Sequence, residues 1–356
     1  MKECLPNSNF SKGISQVEIP ELGTPFRGKV RENWVIENSQ QKIRLMITTD
    51  RQSSFVSNIC TIPGKGQISN LISAFWFEKT KHIIPNHLIA IPHPNVLIAK
   101  QAVTVIPIEV VLRRYMATGS TPTSVYYNYI EKGRRNIYGI EFPDGILPNQ
   151  EFPMGTILTP TTKAVGGHDK ELTELEAEKI VDDQFGKGTW KKIVEAAYQI
   201  FELARRHCLK NGVLLVDTKM EFGIDQDGNL MIIDELLTPD GSRYWLKEKY
   251  EDSFKNGSVP EFDKDVLVRF LKEKAFNGKG SVPQVDSETI EKMLYAYKKP
   301  YELITGKDLP APTSNVEEIK KAALDYLEAT SYIKQGIFEL FMCKLKSTVS
   351  NLTLWL

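Results

Sequence analysis

The stretch from Val213 to Asp234, VLLVDTKMEFGIDQDGNLMIID, constrains the fold more than any other part of the chain. Two apolar runs flank an Asp-Gly pair, the strongest short-range signal for an antiparallel hairpin. If Asp227-Gly228 forms a two-residue turn, Gln226 faces Asn229 and Glu221 faces Asp234. Phe222, Ile224, Met231 and Ile233 then make one apolar face. Lys219, Glu221 and Asp234 share the other, with Asp217 further along it. Two facing carboxylates repel unless a cation or a proton lies between them. Hard oxygen ligands beside a lysine suit Mg²⁺ shared with substrate phosphates, since Mg²⁺ takes only one or two carboxylates from a protein. The plainer alternative is a solvent-facing hairpin whose charges merely alternate. Against it, Thr238-Pro239-Asp240-Gly241-Ser242-Arg243 puts an acid, a hydroxyl and a guanidinium just after the carboxylate strand, as an anionic substrate would need.

A chain of 356 residues exceeds what one core usually serves, which favours two lobes or a large mixed domain. Lys+Arg and Asp+Glu are both 45, so no bulk charge argues for nucleic acid or an anionic membrane as partner. Cys4, Cys60, Cys208 and Cys343 form no C-x-x-C pair, which excludes a zinc knuckle and suits a reducing compartment. The first residues lack a signal-peptide apolar region and no run reaches the roughly 18 apolar residues of a membrane helix, so a cytoplasmic location is expected.

Along the chain, residues 26–60 read as strands, 67–82 as a helix, and 88–91 and 102–112 as short strands, the second broken at Pro107. Residues 114–168, rich in Gly, Pro and Thr, read as long surface loops. Thr173-Glu174-Leu175-Glu176 matches a capping box that opens a helix to about Phe185. Trp190, Ile193, Ala197, Phe201, Ala204 and Cys208 recur at helical spacing and stop at Asn211-Gly212. Further helices are expected at 263–275, 287–305 and 316–345. The last is strongly apolar at Ile337, Phe338, Leu340, Phe341 and Leu345 and must be covered, by the larger lobe or by a second subunit.

Two basic clusters add to the hairpin. Arg27-Gly28-Lys29-Val30-Arg31 sits where a strand should turn, and its glycine lets backbone N–H groups approach a phosphate. Arg113-Arg114-Tyr115-Met116-Ala117-Thr118-Gly119-Ser120 offers two guanidiniums suited to phosphate or carboxylate. No Walker-type G-x-x-x-x-G-K-[ST] loop exists. Of the five histidines none has metal-ligand spacing, and only His168 has a chemically suggestive setting, between Lys163 and Asp169.

The ordered set GKVRENW, TTDRQSSF, IPGKGQISNLISAFWF, PIEVVLRRYMATGS, ILTPTTKAVGGHD, VDTKMEFG and IIDELLTPDGSRYW resembles the SAICAR synthetase (phosphoribosylaminoimidazole-succinocarboxamide synthase) family from about residue 26 to 310. The resemblance implies an α+β, two-lobed fold: a small antiparallel ATP-covering lobe at 1–112, a larger α+β lobe for substrate and metal at 113–312, and a helical extension at 313–356. It also implies an ATP-dependent ligase of purine biosynthesis that joins L-aspartate to the carboxylate of carboxyaminoimidazole ribotide (CAIR), giving SAICAR, ADP and phosphate. Its small-molecule partners are then ATP, CAIR and L-aspartate, with Mg²⁺ as cofactor and with a homo-oligomer through the extension as a further expectation.

Residue by residue, the resemblance implies catalytic roles for Lys219, Asp217 and Asp240, and nucleotide contacts from Gly28, Lys29, Arg31, Glu109, Glu221 and Asp234, the last two also holding the metal. It implies substrate contacts from Asp50, Ser53, Arg113, Arg114, Ser120, Lys163, His168, Asp169, Ser242 and Arg243. The family often reads TDRISAFD where this chain has Val56 in the last position. Its RGYITGS is one residue shorter than RRYMATGS, which leaves Arg113 and Arg114 both open as the ribotide contact. Two alternatives stand beside it: another small-molecule phosphotransferase on a kinase-like scaffold, and an inactive nucleotide-binding scaffold. Every matched motif of the hairpin region lies before residue 246, so catalysis is expected to survive removal of the extension.

Overall fold

The computed structural model describes residues 13–333, apart from 39–40, 55–56, 164–168, 259–261, 263–265, 277 and 279. Val56, His168 and the apolar run from Ile337 to Leu345 therefore lie outside the described residues.

The architecture is mixed α+β and rests on two antiparallel sheets. The smaller has five strands in the order Phe26–Arg27, Arg31–Glu37, Lys42–Thr48, Val96–Lys100 and Leu88–His93. Its register puts Trp34 opposite Leu45 and Leu45 opposite Ile98, so one face is apolar, while Asn33 opposite Met46 belongs to the other. The apolar face packs with Ile14, Val17 and Ile19 and with Ile319, Ala323, Leu324 and Leu327 of the helix Val316–Ala329. The described part of the extension thus covers the small sheet, where one reading of the sequence places it on the larger lobe. The physical reason is that this sheet needs a lid: without the helix the outward side chains of Ile43, Leu45 and Ile98, all fully buried, would face water.

The second sheet is organised by the strand Val213–Ile224, which has a different partner along each half. Residues Glu221 to Ile224 pair with Leu230–Ile233, and residues Val213 to Thr218 pair with Ser242–Leu246. On its other edge lie Ile108–Arg113 and the two-residue strand Thr104–Val105, separated where Pro107 interrupts the ladder as expected. Helices Lys65–Thr80, Glu174–Phe185, Thr189–Lys210 and Ser287–Thr305 pack with this sheet into one continuous core. The capping box at Thr173 and Glu176 forms in full.

Residues 114–158 are more than surface loops. Met116, Val125, Tyr129, Tyr138, Phe142, Phe152 and Ile157 close over a small core of their own, around a π-helical turn at Tyr127–Glu131. Aromatic side chains spaced through a Gly/Pro-rich stretch can bury enough area to order it without regular secondary structure.

Candidate active site

The hairpin register differs by one residue from the sequence expectation. Glu221 faces Ile233, Phe222 faces Ile232 and Ile224 faces Leu230. The cause is Asp225, whose carboxylate accepts the N–H groups of Asp227 (3.0 Å) and Asn229 (2.8 Å). That bridge makes Asp225 and Asn229 the last pair and leaves a three-residue loop, Gln226-Asp227-Gly228, with Gly228 at φ +82°. Phe222, Ile224, Leu230 and Ile232 therefore form the core face, in place of the set containing Met231 and Ile233. Asp234 falls just beyond the strand, at φ +64°, a backbone conformation uncommon for a non-glycine residue and frequent where function holds it.

Asp217, Lys219 and Glu221 keep the same parity on the long strand and line a cleft made of two adjoining cavities of about 350 and 540 Å³, the range of small-molecule sites. The upper one lies between the small sheet and the hairpin. Gly28, Lys29, Arg31, Lys163, Lys219, Glu221 and Asp234 line it. The lower one is lined by Arg113, Ser120, Asp217, Lys219 and Arg243. Lys219 is the described residue common to both.

Electrostatics centre on that lysine. Its ammonium donates to Glu221 at 2.6 Å and to Glu109 on the neighbouring strand at 3.0 Å. Burial works against its charge, but Glu221, Glu109 and Asp234 outweigh it and hold the pKa above the ordinary lysine value. Burial pushes the Glu109 carboxyl up, against the pull of Lys219 and with the help of Glu221 and Asp169. Lys163 forms a second ion pair with Glu221. Arg31 bridges Asp234 (2.5 Å) and Glu235 (3.2 Å). Burial resists ionisation of Asp234, yet Arg31, Lys219 and Lys163 hold its carboxyl below the usual carboxylate range.

In the lower cavity Asp217 is gripped by two guanidiniums, Arg113 at 3.2 Å and Arg243 at 3.0 Å. Strand alternation separates the two adjacent arginines: Arg113 lines the cleft, whereas Arg114 pairs with Glu151 at 2.6 Å away from it.

Other expected site residues lie outside the cavity walls. Asp50 is buried and accepts the N–H groups of Ile14 and Gly66, both at 2.9 Å. Burial raises its pKa in spite of these bonds. Ser53 lies in the strand Arg51–Ser54 and lines neither cavity. The Ser242 hydroxyl is buried against Thr218 Oγ1 at 2.8 Å. Asp240 pairs with the buried Lys65 at 2.9 Å and accepts from Tyr297 at 2.6 Å, and lines neither cavity. Sequence reasoning missed Asn33, Arg44 and His87 in the upper cavity and Arg269 and Lys272 in the lower. Strand parity could have found Asn33, which shares a sheet face with Arg31. An i, i+3 basic pair on a helix could have marked Arg269 and Lys272.

Comparison with known proteins gives one family. The profile of SAICAR synthetase matches residues 25–285. A phosphoribosylaminoimidazole-succinocarboxamide synthase from Legionella pneumophila is 38% identical over 296 residues, which cover 83% of this chain and 91% of the relative. A chloroplastic one from Arabidopsis thaliana is 39% identical over 311 residues, 86% of this chain and 71% of the relative. Among solved structures, the SAICAR synthase of Saccharomyces cerevisiae complexed with SAICAR aligns with a TM-score of 0.69 at 27% identity, over 83% of this chain and 99% of its own.

Proposed function

The chain belongs to the SAICAR synthetase family, the ATP-dependent ligases that join L-aspartate to CAIR, and from that premise we propose that its two cavities divide the reaction, nucleotide above and ribotide below. The observation that carries this division is Lys219, which lines both. A carboxylate is a poor electrophile, so its oxygen first attacks the γ-phosphorus of ATP and the bond to ADP breaks. The aspartate amine then attacks the activated carbon and phosphate leaves. Two anions must meet in the first step. A half-buried cation held at their meeting point by Glu109 and Glu221 offsets their repulsion without having to reorganise.

In this reading Gly28, Lys29 and Arg31 contact the phosphates, while Arg113, Ser120 and Arg243 contact the ribotide, with Asp217 fixing both guanidiniums. Lys163 and Asp169 act near the seam. Asp50, Ser53, Ser242 and Asp240 shape the walls from behind.

Glu221 and Asp234 would hold Mg²⁺. Both carboxylates face one cavity, and each is neutralised by Lys163, Lys219 or Arg31, the counter-charge such a pair needs when no ligand is bound. Among the described residues no group of three or more His, Cys, Asp and Glu is gathered as a cage. That fits an ion drawing most of its ligands from phosphate and water. When bound, it would neutralise charge on the transferring phosphoryl group.

A coupled ADP-release assay tests the proposal. Turnover that needs both CAIR and L-aspartate is expected. ADP release with CAIR alone would favour a phosphotransferase, and ATP binding without turnover an inactive scaffold. The partners are thus small molecules, and among the described residues no helix is long and apolar enough to cross a membrane.

A further inference from the structure

Behind the upper cavity, the three successive carbonyls of the glycine loop are all engaged from one short segment. Arg51 Nη2 donates to Gly28 O at 3.0 Å and Arg51 Nε to Lys29 O at 3.0 Å. Thr49 donates to Val30 O through both its N–H and its hydroxyl, each at 2.8 Å. The remaining Arg51 nitrogen, Nη1, bonds Ser15 O at 2.7 Å and the fully buried Glu32 at 2.5 Å, so the guanidinium is held on every side. The Lys29 and Val30 N–H groups, by contrast, donate to no protein acceptor among the described residues. A peptide whose C=O is anchored outward presents its N–H inward, and a phosphate is repelled by carbonyl oxygens and bound by amides. Only a planar fork with donors on three nitrogens can reach two consecutive carbonyls and a carboxylate together, which a lysine cannot do.

The same segment is tied below. The Arg51 carbonyl accepts from Lys65 Nζ at 2.9 Å, and that ammonium pairs with Asp240, three residues before Arg243. Thr49 to Arg51 therefore runs as a brace from the glycine loop to the loop that carries a ribotide contact.

We propose that Arg51 is a positioning residue for the nucleotide: it touches no substrate, and it holds the glycine loop so that the Lys29 and Val30 amides face the phosphates. The proposal rests on the nucleotide occupying the upper cavity.

The test is Arg51→Lys in the full chain, which keeps the charge beside Glu32 but loses the fork. ADP affinity by calorimetry and the KM for ATP are expected to weaken by on the order of tenfold or more, with the KM for CAIR within about twofold of wild type. Should Arg51→Lys melt, Thr49→Val removes only the hydroxyl bond to Val30 O, and a several-fold loss for ATP alone is expected. Equal losses for ATP and CAIR, or unchanged ADP affinity in a folded variant, overturn the proposal. The binding arm separates it from the ligase reading. Weakened ADP binding in a protein with no CAIR-dependent turnover keeps the brace and sinks the reaction, and wild-type turnover with unchanged ADP binding does the reverse.

Discussion

At Lys219 a single ammonium is surrounded by Glu109, Glu221 and, at longer range, Asp234, so the cation at the seam is kept charged by the acids that would also meet a metal. Removing either of the carboxylates proposed to hold the metal should cost more than a local charge. Glu221→Gln and Asp234→Asn are each expected to lower kcat by about 10²- to 10³-fold while far-UV circular dichroism and melting stay close to wild type. Near wild-type turnover at saturating Mg²⁺ would remove both residues from the metal site. Arg243→Ala is expected to raise the KM for CAIR far more than that for ATP, because the guanidinium lines only the lower cavity.

His87 illustrates a different residue-level effect. It is buried beside Phe77, and desolvation depresses its pKa to about 3. The folded chain therefore keeps it neutral, while the unfolded chain takes up a proton below about pH 6.5. More protons bound in the unfolded state means that stability falls as pH falls through that window. Between about pH 7 and pH 5 the loss from this one group is ~2 kcal/mol. Urea midpoints for wild type and His87→Gln, compared across that range, should differ in slope accordingly, and parallel slopes would refute the assignment.

At the scale of elements, the start of the helix Lys65–Thr80 is a tight joint. A Cβ on Gly66 would lie 2.5 Å from Thr48 O and 2.8 Å from Thr49 O, both backbone atoms that cannot swing aside. Gly66→Ala should thus destabilise by several kcal/mol, read as a lowered melting temperature, and weaken ATP binding in whatever folds, because the displaced strand end feeds the brace. Much of the element pattern was legible: the hairpin, the capped helix and the break at Pro107 follow from local chemistry. The register of the hairpin is not legible, since Asp-Gly by itself favours a two-residue turn and the competing side-chain bridge from Asp225 appears only in the structure. Asp217, Lys219 and Glu221 are legible all the same because they sit on one strand, where the alternation depends on no turn. Asp240, Ser242 and Asp50 are marked in sequence by the family motifs they lie in, and the partners they have in the structure, Lys65, Thr218 and Gly66, come from elements distant in sequence or from buried backbone. No spacing rule reveals those contacts.

For the whole molecule, the helix Val316–Ala329 closes the back of a sheet whose front lines the upper cavity. Catalysis was expected from sequence to survive its loss, but the packing argues otherwise. Burial of Ile319, Leu324 and Leu327 is worth ~1.5–3 kcal/mol each as an upper estimate. A chain ending at Thr313 is expected to melt roughly 10 °C lower or more and to bind ADP more weakly. A melting temperature within 2–3 °C of wild type would mean the small sheet does not depend on this cover. Removing only residues 334–356 leaves the helix in place, so a drop in assembly mass by whole subunits in light scattering would trace subunit contact to that segment.

The long strand Val213–Ile224 gives the chemistry a parity. Asp217, Lys219 and Glu221 are all odd-numbered, and the residues between them, Thr218 and Met220, are buried on the opposite side. Inserting or deleting one residue anywhere between 217 and 221 would exchange odd for even beyond that point, burying a lysine or a glutamate and turning Met220 or Phe222 toward the cleft. Substitutions along this strand can be graded, but changes in its length are all or none. The spacing of the groups that line the two cavities is therefore written in whole steps of the backbone and cannot drift.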